Sequence, residues 1–146
     1  MRVRILILLL SAITVLGSDV RVIKVLPQLL DKQGRNALNP SLFDRDAYQF
    51  HLRQNPELIS ALRFEIQYKA KGIQGPVLLR LEVRGSKTEI GTRHVFETEV
   101  PTGTFSKWGR IQIDRAMRDT LGTVVAWRAS LVQSGTVLAT QESFLW

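Results

Sequence analysis

Thr123-Val124-Val125-Ala126-Trp127-Arg128-Ala129-Ser130-Leu131-Val132, then Gln133-Ser134-Gly135, then Thr136-Val137-Leu138-Ala139-Thr140, is the stretch that decides the reading of this sequence. In its first segment Val125, Trp127, Ala129 and Leu131 form one alternating set, with Arg128 and Ser130 in the other, the period-two signature of a strand with one buried face. Gly135 offers positive φ for a turn and the second segment is rich in β-formers. The pair therefore predicts a β-hairpin that continues to Ser143-Phe144-Leu145-Trp146. A lone hairpin is marginal in water, so the preceding residues must supply a sheet, and Trp127 is the largest apolar group the hairpin brings to it.

Working back, the sheet is there. Leu62, Phe64, Ile66, Tyr68 and Ala70 alternate with Arg63, Glu65, Gln67 and Lys69 without a miss, and Val77, Leu79, Leu81 and Val83 alternate with Leu78, Arg80, Glu82 and Arg84. Ile111 and Ile113 mark a core face in a strand that opens near Trp108. Thr88 to Val100 predicts a longer, less regular strand bent or bulged at Gly91. Val20 to Leu26 predicts a first strand, with Val20, Val22 and Lys24 on one side and Arg21, Ile23 and Val25 on the other. Pro27 confines it to an edge or ends it, and Leu29-Leu30 can resume it. Asp114 to Gly122 predicts a short helical turn leading into the hairpin.

One helix interrupts the β pattern. Ser41 caps it, Asp44 follows three positions on, and Pro56 forces its end, so it spans Leu42 to Gln54. Phe43, Ala47 and Phe50 recur at helical spacing as the expected packing face, with Tyr48 and Leu52 beside it. Such an insert covers a sheet edge or closes an open end of the core.

The length of 146 residues and the 45% apolar content suit one domain with a real core. There is no cysteine, which excludes disulfides and thiolate metal sites. Met1 to Gly17 reads as a signal peptide: Arg2 and Arg4 precede the apolar run Ile5 to Leu16, too short for a transmembrane helix of ~20 residues, and polarity returns at Ser18-Asp19. Cleavage falls after Gly17 or Ser18, leaving residues 19–146 as a single β-sandwich domain with no transmembrane helix, secreted to the periplasm or the cell exterior. The absence of a cysteine after the apolar run excludes a lipoprotein. Loss of Arg2 and Arg4 lowers the formal charge of +7 by two. The remaining bases are interspersed with acids, as in Arg80-Leu81-Glu82-Val83-Arg84, so no nucleic-acid stripe is expected.

About seven strands joined by hairpin-length connections, with one helix, imply an all-β antiparallel sandwich. The arrangement resembles an immunoglobulin-like or fibronectin type III-like domain from Val20 to Trp146, on strand count and on Trp127 in a late strand. The antibody-type cysteine pair is missing, so the resemblance implies architecture alone. The chain is also similar to the many small secreted proteins of envelope-bearing bacteria, a resemblance that carries no activity with it.

Chemistry-bearing motifs are absent from the sequence. His51 and His94 lack metal-ligand spacing, no serine sits in a Gly-x-Ser-x-Gly elbow, and the glycines match no phosphate loop. No catalytic residue, metal ligand or cofactor-binding residue is therefore assigned. Glu97 and Glu99 share a strand face ~6.6 Å apart. With His94 they are the basis of an alternative reading as a small envelope hydrolase or carbohydrate-binding domain. Phe144 and Trp146 share one face of the expected last strand, either closing the core or offering a patch for docking or strand addition. A terminal aromatic strand is also similar to the insertion signal of outer-membrane barrels. The first expectation is an exported, non-enzymatic interaction or structural module that binds another envelope or secreted protein through a sheet edge or through Tyr48, Phe50, Phe144 and Trp146. The sequence leaves its oligomeric state open.

Overall fold

The computed structural model describes residues 17–146. The signal segment therefore lies outside the described residues except for Gly17. The order is β1 (Asp19–Asp31), α1 (Leu42–Gln54), β2 (Ile59–Lys71), β3 (Val77–Gly85), β4 (His94–Val100), β5 (Gly103–Asp114), α2 (Arg115–Leu121), β6 (Val124–Gln133) and β7 (Thr136–Glu142). The seven strands form two open antiparallel sheets, β1-β2-β5 and β4-β3-β6-β7, rather than one closed barrel. This is the expected all-β sandwich.

The alternating apolar sets meet between the sheets. Phe64, Ile66 and Tyr68 of β2, Ile111 and Ile113 of β5, Leu79, Leu81 and Val83 of β3, and Ala129 and Leu131 of β6 are buried in one cluster. Tyr68 brings a hydroxyl into this core and satisfies it by donating to the Pro101 carbonyl at 2.8 Å. Gly109 occupies a core-facing position because the Leu79 side chain fills the space, its Cδ2 standing 2.5 Å from where a Cβ would be.

Two bulges alter the expected faces. The register of β1 on β2 slips between Val22 and Lys24, so Ile23 is turned out to solvent, and Val25 takes the core position that strict alternation denies it. A second slip, where Arg84 and Gly85 meet Ala126 and Val124, exposes Val125 and leaves Val124 packed on the core. The predicted long strand from Thr88 is shorter: the chain turns at Glu89–Thr92, with Gly91 at φ 88°, and pairs only from His94. The helical turn expected after Asp114 is the helix α2, capped by the Asp114 carboxylate on Met117 N and ended by Gly122 at φ 74°.

Helix α1 has the predicted bounds and cap but the opposite face. Gln49 and Leu52 are buried, whereas Phe43 is 80% and Phe50 59% exposed. The cause is an edge. Strand β1 borders the three-stranded sheet and runs through Pro27 without breaking. At Leu29 the Gln49 amide acts as a neighbouring strand would, its Oε1 accepting from Leu29 N at 2.8 Å and its Nε2 donating to Leu29 O at 2.9 Å. Leu29 thus directs both backbone groups outward, and Pro27, two residues earlier in unbroken register, belongs to the same outward set. Its missing N–H costs the ladder nothing. The insert covers a sheet edge.

Candidate functional site

The outer face of the four-stranded sheet carries a charged network. Glu82 of β3 is buried and accepts from Arg128 of β6 at 2.7 Å, with Arg93 at 3.3 Å. The Arg128 hydrogen bond outweighs burial and holds the Glu82 carboxyl below the usual carboxylate range. Arg128 also lies 4.7 Å from the ring centre of Trp146, and Arg84 lies 4.3 Å from it.

These arginines fix the segment after β7, which is not the strand the sequence implied. Pairing stops at Glu142. Ser143 then donates its N–H to Trp127 O at 2.8 Å and accepts Trp127 N on its Oγ at 2.9 Å, and Trp146 N closes a turn onto Ser143 O at 3.0 Å. Between these anchors Phe144 is 101% exposed, and Leu145 is also exposed. Neither aromatic closes the core. Trp146 is half-buried on the outer face of the sheet, and Phe144 stands in water.

A cleft of about 650 Å³ opens between the two sheets beside α1 and α2. Its walls are apolar: Pro27 and Leu29 of β1, Leu62 and Phe64 of β2, Val124 and Trp127 of β6. Arg53, Lys87 and Arg118 line it with a single carboxylate, Asp119. Lys87 Nζ donates to Asp119 O at 3.1 Å, and the Asp119 carboxylate stands 4.0 Å from Arg115. Arg53 and Arg118 make no ion pair or side-chain hydrogen bond among the described residues. Burial lowers the Arg118 pKa from the ordinary guanidinium value. Two hydroxyls complete the wall: Ser86 Oγ accepts from Thr123 N at 3.0 Å and Ser143 Oγ from Trp127 N, which leaves each O–H proton to be donated elsewhere.

The four residues singled out from the sequence are not gathered into one patch. Tyr48 stacks on His51 at 6.0 Å between ring centres and donates its hydroxyl to Asp31 at 2.7 Å, so it is bonded into the fold. Phe50 lies on the exposed side of α1, and Phe144 and Trp146 lie on the turn after β7. None of the four lines the cleft. Glu97 and Glu99 do share the exposed side of β4, but Glu97 accepts from Arg80 at 2.6 Å. His94 is half-buried at the start of that strand. Among the described residues no group of three or more His, Cys, Asp or Glu side chains could hold a metal ion. Sequence reasoning missed Arg53, Lys87 and Arg118 because they come from three separate elements, with no spacing that links them.

Fold and site together define an antiparallel β-sandwich with an apolar, cation-lined cleft at one end. No protein-family model matches the chain, and no curated protein does. Among solved structures, the crystal structure of β-D-glucoside glucohydrolase from Trichoderma reesei matches 86% of this chain at 13% identity and a TM-score of 0.37. The chain spans 18% of that enzyme's length, and a likeness this weak says nothing of activity. No helix among the described residues is long and apolar enough to cross a membrane.

Proposed function

We propose that this chain is an exported, non-enzymatic interaction module of the bacterial envelope, which docks another envelope or secreted protein on the apolar surface of the Ser143–Trp146 turn. The observation that supports it is the anchoring of that turn. Trp146 is held against two arginines and Ser143 is bonded twice to Trp127, yet Phe144 between them is fully exposed. An aromatic presented on a fixed turn loses little conformational freedom on binding, which is what an interface anchor needs. The strand order β1-β2-β5 against β4-β3-β6-β7 suits the fibronectin type III-like resemblance, in which a sandwich serves as a scaffold for surface contacts.

Cross-linked capture from the native envelope fraction tests this. Phe144→Ala is expected to abolish recovery of a specific partner while the thermal unfolding midpoint stays within about 2 °C, as for a surface change. Trp146→Ala is expected to weaken capture by releasing the turn. Unchanged capture by a folded Phe144→Ala variant sinks the reading.

A second reading, glycan binding, is favoured by one observation on a different surface. Trp108 is 48% exposed in a shallow depression of about 500 Å³ beside Gln28, Asn36, Asn39 and Glu65, an aromatic platform ringed by amide and carboxylate groups. A glycan array is expected to show signal that Trp108→Ala removes, and a blank array retires this reading along with its earlier basis in Glu97, Glu99 and His94.

A further inference from the structure

We propose that the cleft between the sheets is a binding site for a small amphipathic carboxylate, a free acid with an unbranched apolar chain. The site adjoins the turn that carries Phe144, with Ser143 common to both, but it does not rest on the docking reading. Its volume, about 650 Å³, falls in the range of ligand pockets, and its apolar floor comes from β1, β2 and β6 while α1, α2 and the turns after β3 and β7 form the rim.

The chemistry of its lining selects the ligand. Leu29, Leu62, Phe64 and Trp127 form an apolar surface continuous with the core, suited to a chain that leaves water. The polar groups above that surface are almost all donors. Arg53 and Arg118 carry guanidiniums with no internal carboxylate partner among the described residues, and Lys87 adds a third cation. The Ser86 and Ser143 hydroxyls each already accept from a backbone N–H, and each keeps an O–H proton that an incoming acceptor can take. The one acceptor carboxylate, Asp119, is turned to its own helix neighbour Arg115. A donor-rich, acceptor-poor rim over an apolar floor fits a carboxylate head and rejects an ammonium head. Partial burial of Arg118 makes its unmatched charge expensive, and an incoming carboxylate removes that expense.

Isothermal titration of the purified protein with dodecanoate, held below its micelle concentration, tests this together with dodecyltrimethylammonium as the cationic counterpart. One-to-one saturable binding of dodecanoate is expected, with a shift of the Trp127 indole resonance and no saturable binding of the cation. Arg53→Gln with Arg118→Gln is expected to weaken dodecanoate binding at least about tenfold, the loss of two charge-assisted hydrogen bonds. If that pair unfolds the domain, Arg53→Gln with Lys87→Gln, both outside the core, serves instead and is expected to act in the same direction. Three results overturn the proposal: no saturable binding of dodecanoate, equal binding of the cation, or affinity unchanged in a folded double variant. Binding of an apolar peptide but not of dodecanoate also overturns it, and assigns the cleft to a protein segment instead.

Discussion

Gly85→Ala is expected to destabilise the domain by at least about 3 kcal/mol, a large fraction of the stability of a fold this size. Gly85 ends β3 opposite Val124, where the last residue of α2 crosses over it. A Cβ there would overlap the Leu121 carbonyl oxygen and stand 2.8 Å from the carbonyl carbon. Neither neighbour can yield by a rotamer change, because both are backbone. The same carbonyl accepts from Lys87 N at 3.0 Å, while Ser86 N donates to Thr123 O at 2.8 Å, so pushing it away breaks the stitch between the β3 end and the α2–β6 corner. Leu121 is fully buried, and its displacement would also open the core. Gly91 is the control. It has φ 88° and nothing within 4 Å, so Gly91→Ala carries only the left-handed backbone penalty of about 1 kcal/mol. Chemical denaturation of both variants decides the matter: equal losses would show that the close approach at Gly85 is unimportant.

Asp31→Ala is expected to cost about 3 kcal/mol and to lower the unfolding midpoint by on the order of 10 °C. The carboxylate is 3% exposed and gathers four donors: Gln33 N, Arg35 N and Arg35 Nε, each at 2.9 Å, and the Tyr48 hydroxyl at 2.7 Å. It therefore joins the end of β1, the turn that follows and α1 through a single group. Removing it strands a phenol and two backbone amides in a partly closed site. Burial pushes the Asp31 pKa up, and the hydrogen bonds together outweigh burial and hold it at about 2. The folded value lies below the ordinary carboxylate value near 3.9. The stabilisation is thus complete above about pH 4 and is lost as pH falls through 4 toward 2, a change of at most about 2.6 kcal/mol. An acid titration of stability should show this limb in the wild type and a flatter one in Asp31→Ala. Parallel curves would remove Asp31 from the account.

The strongly alternating strands were legible in the sequence because each buries one face continuously, as Leu62 to Ala70 and Val77 to Val83 do. So were both helices: Ser41 caps the first and Pro56 follows its end, and Asp114 to Gly122 predicts a helical turn where α2 stands. What alternation cannot register is a single inserted residue. Ile23 and Val125 look like any other β-formers, and only pairing with a partner strand shows them turned outward. The face of α1 was misread for a related reason. Phe43 and Phe50 outscore Gln49 in hydrophobicity, but Gln49 is the residue that can serve two backbone groups of Leu29 at once. The anchored turn was half legible: the aromatics of Phe144-Leu145-Trp146 stood out, but the arginines that receive Trp146 come from β3 and β6. The cleft was illegible, since its lining is drawn from positions between Pro27 and Ser143 with no common spacing.

The way β1 is finished sets the directions in which this protein can grow into larger assemblies. A second chain extending the three-stranded sheet past β1 would find no donor at Pro27 and both groups of Leu29 already taken by Gln49. Fibril-like stacking is thus shut off along that flank. Copies held at high local concentration can remain separate there without charge repulsion to keep them apart.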